Sequence, residues 1–288
     1  MFPFDLSDPQ FLAFYLMFAA VVVAAFYFGR RYYESGPLPT IDLTDPLLFA
    51  CLRGGPKEVV RVATLGLIDR GLLKTPDETV AAETKPQVAS TRIEREILHH
   101  FRSATDLDSI LDRPAIERVA AEDYEGQLIQ LRLVPDAEML RLRAWLLVTA
   151  LISLIGVGTI ELMVAKAAGH RNVGSLFILM VLGAIVIVKL RGGYRTVLGD
   201  SCFSSIRGML RKLRDRATTI KPGSGSRDLL WLTALFGAAA LPTEAFPLVP
   251  TLWPKPRPTS LALGGGGDGG IGDGGGGCGG SGGDGSCG

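Results

Sequence analysis

Residues 11–28, FLAFYLMFAAVVVAAFYF, form an eighteen-residue run without a charge. As a helix the run rises about 27 Å, close to the hydrocarbon thickness of a bilayer. That leaves two outcomes: it crosses a membrane, or it is buried all round inside a core. It does not read as a cleaved leader, which needs a basic start and a small-residue cleavage site. Here Asp5 and Asp8 precede the run, and Arg30-Arg31 closes it. A retained anchor over 11–29 is expected. Tyr15 and Tyr27 stand toward its ends, where amphipathic rings favour the interface.

Two further runs follow the same logic. AWLLVTALISLIGVGTI begins at Ala144 and continues past Glu161 through LMVA, and VGSLFILMVLGAIVIV covers 173–188. They predict spans over 144–164 and 173–190, joined by a turn at 165–172 into a transmembrane hairpin. Their apolarity all round separates them from a soluble surface helix, which keeps a polar face. A fourth piece, LLWLTALFGAAAL at 229–241, gives about 20 Å, too short to cross unaided. Residues 228–252 are therefore read as interfacial or docked, with a fourth crossing as the alternative. Glu161 is a carboxylate at the edge of a span, where solvation beside Lys166 is the simpler reading.

Bases beside span ends mark the cytoplasmic face. Arg30 and Arg31 follow the first run. Arg132, Arg141 and Arg143 precede the second, and Lys189, Arg191 and Arg195 follow the third. This places residues 1–10 outside, 30–143 inside and the chain after 190 inside, in the plasma membrane. Cys51, Cys202, Cys278 and Cys287 then all lie in a reducing compartment.

Residues 30–143 hold a mixed, globular composition. Thr44 or Asp45 can cap a helix ending near Arg53, Gly54-Gly55 turns the chain, and Pro56 suits the first position of a second helix. Val59, Val62, Ala63, Gly66 and Leu67 share one face of that helix, and Gly71 suits its C-terminal stop. LLKTPDETVAAE follows as a small β-wing. Helix, turn, helix and wing is the order of a winged-helix unit. A second, weaker copy is read from STRIEREILHHFRS, capped by Ser90 or Thr91, and from RPAIERVAAEDYEGQLIQLRLVPD, which predicts a helix and a short strand. A DNA-binding use would run through Lys57, Arg61 and Arg70, but Glu58 and Asp69 leave that helix near neutral, so nucleic acid is disfavoured against a protein partner or self-association. His99 and His100 are adjacent, about 100° apart on a helix, and do not both face one ion easily.

Net charge is only +1, yet residues 189–227 hold ten Lys/Arg against two Asp. Within this segment, 191–227, Cys202, Phe203, Ile206, Met209, Leu210 and Leu213 form an apolar stripe, with Arg207, Arg211, Lys212 and Arg214 beside it. A basic amphipathic helix next to a span reads as lying in the membrane surface, its bases on anionic lipid head groups. Packing on the 40–135 region is the alternative. Residues 253–288 begin as a proline-rich spacer and end in seventeen glycines among twenty-five residues. Glycine loses the most backbone entropy on ordering, so a disordered tether is expected. Cys278 and Cys287 have eight residues between them and are too few ligands for a zinc site of their own.

LRGGP at 52–56, RGLL at 70–73, ALFGAAAL at 234–241 and the Gly/Cys tail, in this order, resemble the near-uncomplex family of bacterial membrane proteins. The resemblance implies a bacterial membrane protein of unassigned function, with no catalytic residues to carry over. The resulting expectation is a mainly α, multi-pass membrane protein with a small winged-helix-like cytoplasmic domain. It is read as non-enzymatic, without cofactor or metal, and as a scaffold for a protein partner. The alternatives are a membrane-tethered DNA-binding regulator and a thiol- or metal-dependent enzyme drawing on Cys278, Cys287, His99 or His100. No nucleophile–base–orienter set or phosphate-binding loop is present to support the latter.

Overall fold

Helix α1 runs Asp8–Glu34, α7 runs Ala137–Ala167 and α8 runs Val173–Lys189. The computed structural model describes residues 8–39, 44–74, 79–83, 89–167, 173–215, 223, 227–241, 246 and 248–253, all within Met1–Pro256. Among the described residues two stretches are long and apolar enough to cross a membrane, Leu12–Glu34 and Ala137–Ile160; the apolar part of α8, Leu176–Lys189, is shorter. Only 17% and 22% of the two long windows are buried, which separates them from the core helices of a soluble protein. Leu16, Phe28, Ile152, Phe177 and Leu182 are all exposed, an apolar surface of the kind that marks a membrane or protein contact.

The three helices pack on one another around Tyr15, Ala19, Phe26, Ala150, Leu154, Leu176 and Ile187. Small residues let the backbones approach: a Cβ on Gly183 would meet Leu154 at 2.8 Å, and one on Gly158 would meet the Tyr15 hydroxyl at 3.0 Å. Tyr15 corrects an expectation. It does not sit at an interface but is fully buried, donating its hydroxyl to the Leu154 carbonyl at 2.9 Å. The helix starts early, at Asp8, so Tyr15 lies two turns in, where a phenol needs an internal acceptor. Glu161 falls on α7, and its side chain lies outside the described residues.

The remaining elements build a mostly helical domain. Helix α2 (Pro46–Gly54) is capped by Asp45, which accepts the Leu47 N–H, and α3 (Pro56–Asp69) starts on Pro56. Gly71 closes α3, with the Leu72 N–H returning to the Leu67 carbonyl at 2.9 Å. Strands β1 (Leu73–Lys74) and β2 (Thr79–Ala82) pair antiparallel, Leu73 opposite Ala82. A third strand, β3 (Thr105–Asp106), joins β2 antiparallel and gives the order β1-β2-β3. Helix α4 (Arg92–His100) is capped by Thr91, while Glu94 reaches back to the Ser90 N–H at 2.8 Å. A single 3₁₀ turn (Leu107–Ile110) leads to α5 (Pro114–Ala120), then a π-helical turn (Ala121–Glu125) and α6 (Gly126–Gln130).

After the bundle come α9 (Val197–Met209), α10 (Arg211–Asp215), α11 (Arg227–Phe236) and α12 (Val249–Leu252). One apolar core unites both parts of the chain. Phe49, Leu52, Val62, Leu67, Ile97 and Leu128 share it with Phe203, Ile206, Leu229, Leu232 and Leu252. Three expectations change here. Most of the stripe of α9 faces this core, with Cys202, Phe203 and Ile206 buried and Leu210 and Leu213 packed against them while Met209 is exposed, so the alternative of packing on the domain replaces the lipid surface. Helix α11 is buried against α2 and α3, so of the readings of 228–252 docking holds, and the interfacial and fourth-crossing readings do not. Residues 131–136 turn and do not form a strand, because Arg132 adopts φ 57° and ends α6, with the Leu133 N–H on the Leu128 carbonyl at 2.9 Å.

Candidate functional site

Buried charge gathers where the helical bundle meets the domain. Glu34, the last residue of α1, has a side chain only 1% exposed. Its carboxylate accepts from Arg30 Nε at 2.8 Å, one turn back, and from Arg143 Nε at 2.7 Å in the second turn of α7. Its other oxygen accepts the Val197 N–H at 3.1 Å, at the start of α9. Both guanidiniums reach further. Arg30 Nη1 donates to the Leu190 carbonyl at 2.8 Å, and Arg143 donates to the carbonyls of Gly193 at 3.1 Å and Arg195 at 3.0 Å. One carboxylate thus fastens the domain-side ends of α1, α7 and α8 to α9. Gly192, at φ 85°, makes room for this, since a Cβ there would overlap the Arg30 guanidinium. A buried ion pair repays its desolvation only when its hydrogen bonds are filled, as these are.

The connection from α8 to α9 then threads into the domain. Thr196 is fully buried and caps α9, accepting the Gly199 N–H at 3.0 Å while donating its hydroxyl to the Arg132 carbonyl at 2.8 Å. Its own N–H donates to the Leu133 carbonyl at 3.0 Å. Tyr194 donates to Glu125 at 3.1 Å in the π-helical turn and lies 3.8 Å from the Cys51 sulfur. Burial pushes the Cys51 thiol up to about 12, so it is protonated and unreactive. Arg195 pairs with Asp200 at 2.8 Å and lies over the Phe203 ring at 4.4 Å.

A second cluster ties α2 and α3 to α11 and α12. Glu58 pairs with Arg53, with Arg61 at 2.6 Å and with the Trp253 indole N–H at 3.0 Å. Burial alone raises its carboxyl, but the Arg53 charge, the Trp253 N–H and Arg61 outweigh that and hold it below the usual carboxylate range. Arg53 also donates to the Thr233 carbonyl and fills the space where a Cβ on Gly237, at φ 74°, would sit. LRGGP and ALFGAAAL, far apart in sequence, therefore meet at Arg53 and Gly237. Arg70 pairs with Glu94. Arg61 and Arg70 are both in ion pairs and α11 lies on α3, which leaves Lys57 as the one exposed, unpaired base of the three.

The bases expected at the membrane surface lie on the outside of α9 and α10. Arg207 and Arg214 stand over the Phe236 ring at 5.3 Å and 5.8 Å, while Arg211 and Lys212 are exposed. His99 is exposed; His100 sits 3.0 Å from the Ser109 hydroxyl and edge-on to Phe101, so the two do not converge. Among the described residues no group of three or more His, Cys, Asp or Glu could hold a metal. Cys278 and Cys287 lie outside the described residues. No family model, curated protein or solved structure matches the chain. Sequence reasoning passed over Glu34 and took Arg143 only as a topology marker. The signal that pointed to them was Arg30 and Glu34, four residues apart at the end of an apolar run.

Proposed function

We propose that the chain is a multi-pass integral membrane protein, with α1, α7 and α8 as three spans, that acts as a non-enzymatic scaffold. Its domain, winged-helix-like in the order α2, α3, β1, β2, would be held on the cytoplasmic side of a bacterial plasma membrane to bind a protein partner. The N-terminus lies outside in this reading and the Gly/Cys tail inside, in keeping with the resemblance to the near-uncomplex family. The observation that supports it is the Glu34 junction. A carboxylate buried under two arginines fixes a lipid-suited bundle rigidly to a packed domain. A domain that is merely tethered needs no such fixture, whereas one presenting a surface at a set height and angle does.

A protein partner fits better than DNA, because Arg61 and Arg70 are taken up in ion pairs and only Lys57 of the three candidate bases stands exposed and unpaired. A photocrosslinking residue at exposed Glu96 or His99 in native membranes tests the scaffold. A discrete protein adduct of constant mass is expected; adducts to nucleic acid, or none at either position, overturn it. Impermeant maleimide on intact cells tests the topology. Cys278 and Cys287 are expected to label only after permeabilisation, and labelling of closed cells refutes the arrangement.

A further inference from the structure

We propose that Arg31, Arg141, Lys189 and Arg191 form a collar that binds anionic phospholipid head groups around the domain-side ends of α1, α7 and α8. The proposal rests on the membrane-spanning reading above. Each of the four is a near neighbour in sequence of the Glu34 junction. Arg31 follows Arg30, and Arg141 lies two residues before Arg143. Lys189 and Arg191 flank Leu190, whose carbonyl Arg30 holds at 2.8 Å. At about 1.5 Å of rise per helical residue, all four lie within roughly one turn of the same level. The junction turns Arg30 and Arg143 inward, and the four neighbours are exposed.

Among the described residues none of the four is in an ion pair. Glu34 is taken up by the junction, and Asp136 accepts the Met139 N–H at 2.7 Å. Glu138 is the exposed acid nearest Arg141 in sequence. Aromatic rings mark the same height: Tyr32 and Tyr33 stack edge to face at 5.6 Å, and Trp145 is 68% exposed. Such rings favour the head-group region. Below them Phe28 and Val188 offer apolar side chains to acyl chains, which favours a lipid over a free phosphate. The bases of α9 and α10 are different, since their helix turns its apolar side into the domain.

Native mass spectrometry of the full chain in detergent, with equal phosphatidylglycerol and phosphatidylcholine, tests the collar. A preference for phosphatidylglycerol of about tenfold is expected, given several bases near the surface. The variant with Arg31, Arg141, Lys189 and Arg191 all changed to Gln should lose it, whereas changing Arg207, Arg211, Lys212 and Arg214 to Gln should not. Arg31→Lys, Arg141→Lys and Arg191→Lys together should keep it. Should the fourfold Gln variant fail to fold, Arg31→Gln with Arg191→Gln, and Arg141→Gln with Lys189→Gln, should each lower the preference about threefold. Absence of preference in the wild type, its survival in the Gln variants, or displacement of the lipid by millimolar inorganic phosphate overturns the collar. Release of the chain from membranes by alkaline washing instead overturns the membrane-spanning reading, and so separates the two failures.

Discussion

Removing the charge of Glu34 leaves two arginines buried without their counter-ion. Breaking one side of such a pair costs about 3–5 kcal/mol. Glu34→Gln is therefore expected to lower the thermal midpoint in detergent strongly, and Glu34→Asp to do so as well, because the shorter side chain cannot reach Arg143 and Val197 together. Cys51 makes a different prediction. Its buried, protonated thiol should resist iodoacetamide at neutral pH and label only in denaturant, as followed by peptide mass spectrometry. Glu58 and His100 set the pH dependence. Glu58 is held below the usual carboxylate range, so its contribution is present above that range and lost as pH falls through the folded-state value. His100 is held below its ordinary value by burial and by Arg113, so the fold binds its proton less well than the open chain, and acid again destabilises. Stability should decline from the ordinary histidine range downward, measured by tryptophan fluorescence against pH.

Helix α9 shows how an element can be legible and still be misplaced. Its period and its bases are plain in the sequence, but the same apolar stripe suits a lipid surface or a protein core. What decides is whether a matching apolar face lies within reach, and α2 supplies one. Phe203→Ala should therefore cost about 3–5 kcal/mol of domain stability while leaving membrane retention unchanged. Were α9 seated in lipid, the effects would be reversed. Helix α11 was ambiguous for the same reason, being too short to cross yet apolar enough to insert. Caps and stops were easier to read, as Asp45, Pro56, Gly71 and Thr91 show, because each acts on backbone groups within a few residues.

Across the whole molecule, the domain core draws on residues before α7 and after α8. A fragment of residues 40–135 lacks α9, α11 and α12, and would expose Phe49, Leu52 and Val62 that those helices help enclose. It is expected to be aggregated or loosely folded, without a cooperative thermal transition. A single chain joining 40–134 to 196–253 through a short linker should recover one. A cooperative transition in the shorter fragment would contradict the shared core.

Local chemistry in the sequence was enough to set the apolar stretches, their lengths and most helix boundaries, because hydropathy, capping and turn preferences act over a few residues. It could not say what the stripe of α9 covers, that α11 docks on α2 and α3, or that Glu34 joins four elements. Those depend on contacts between residues more than a hundred positions apart, and a charge or an apolar face carries no record of its distant partner until the chain has folded around both.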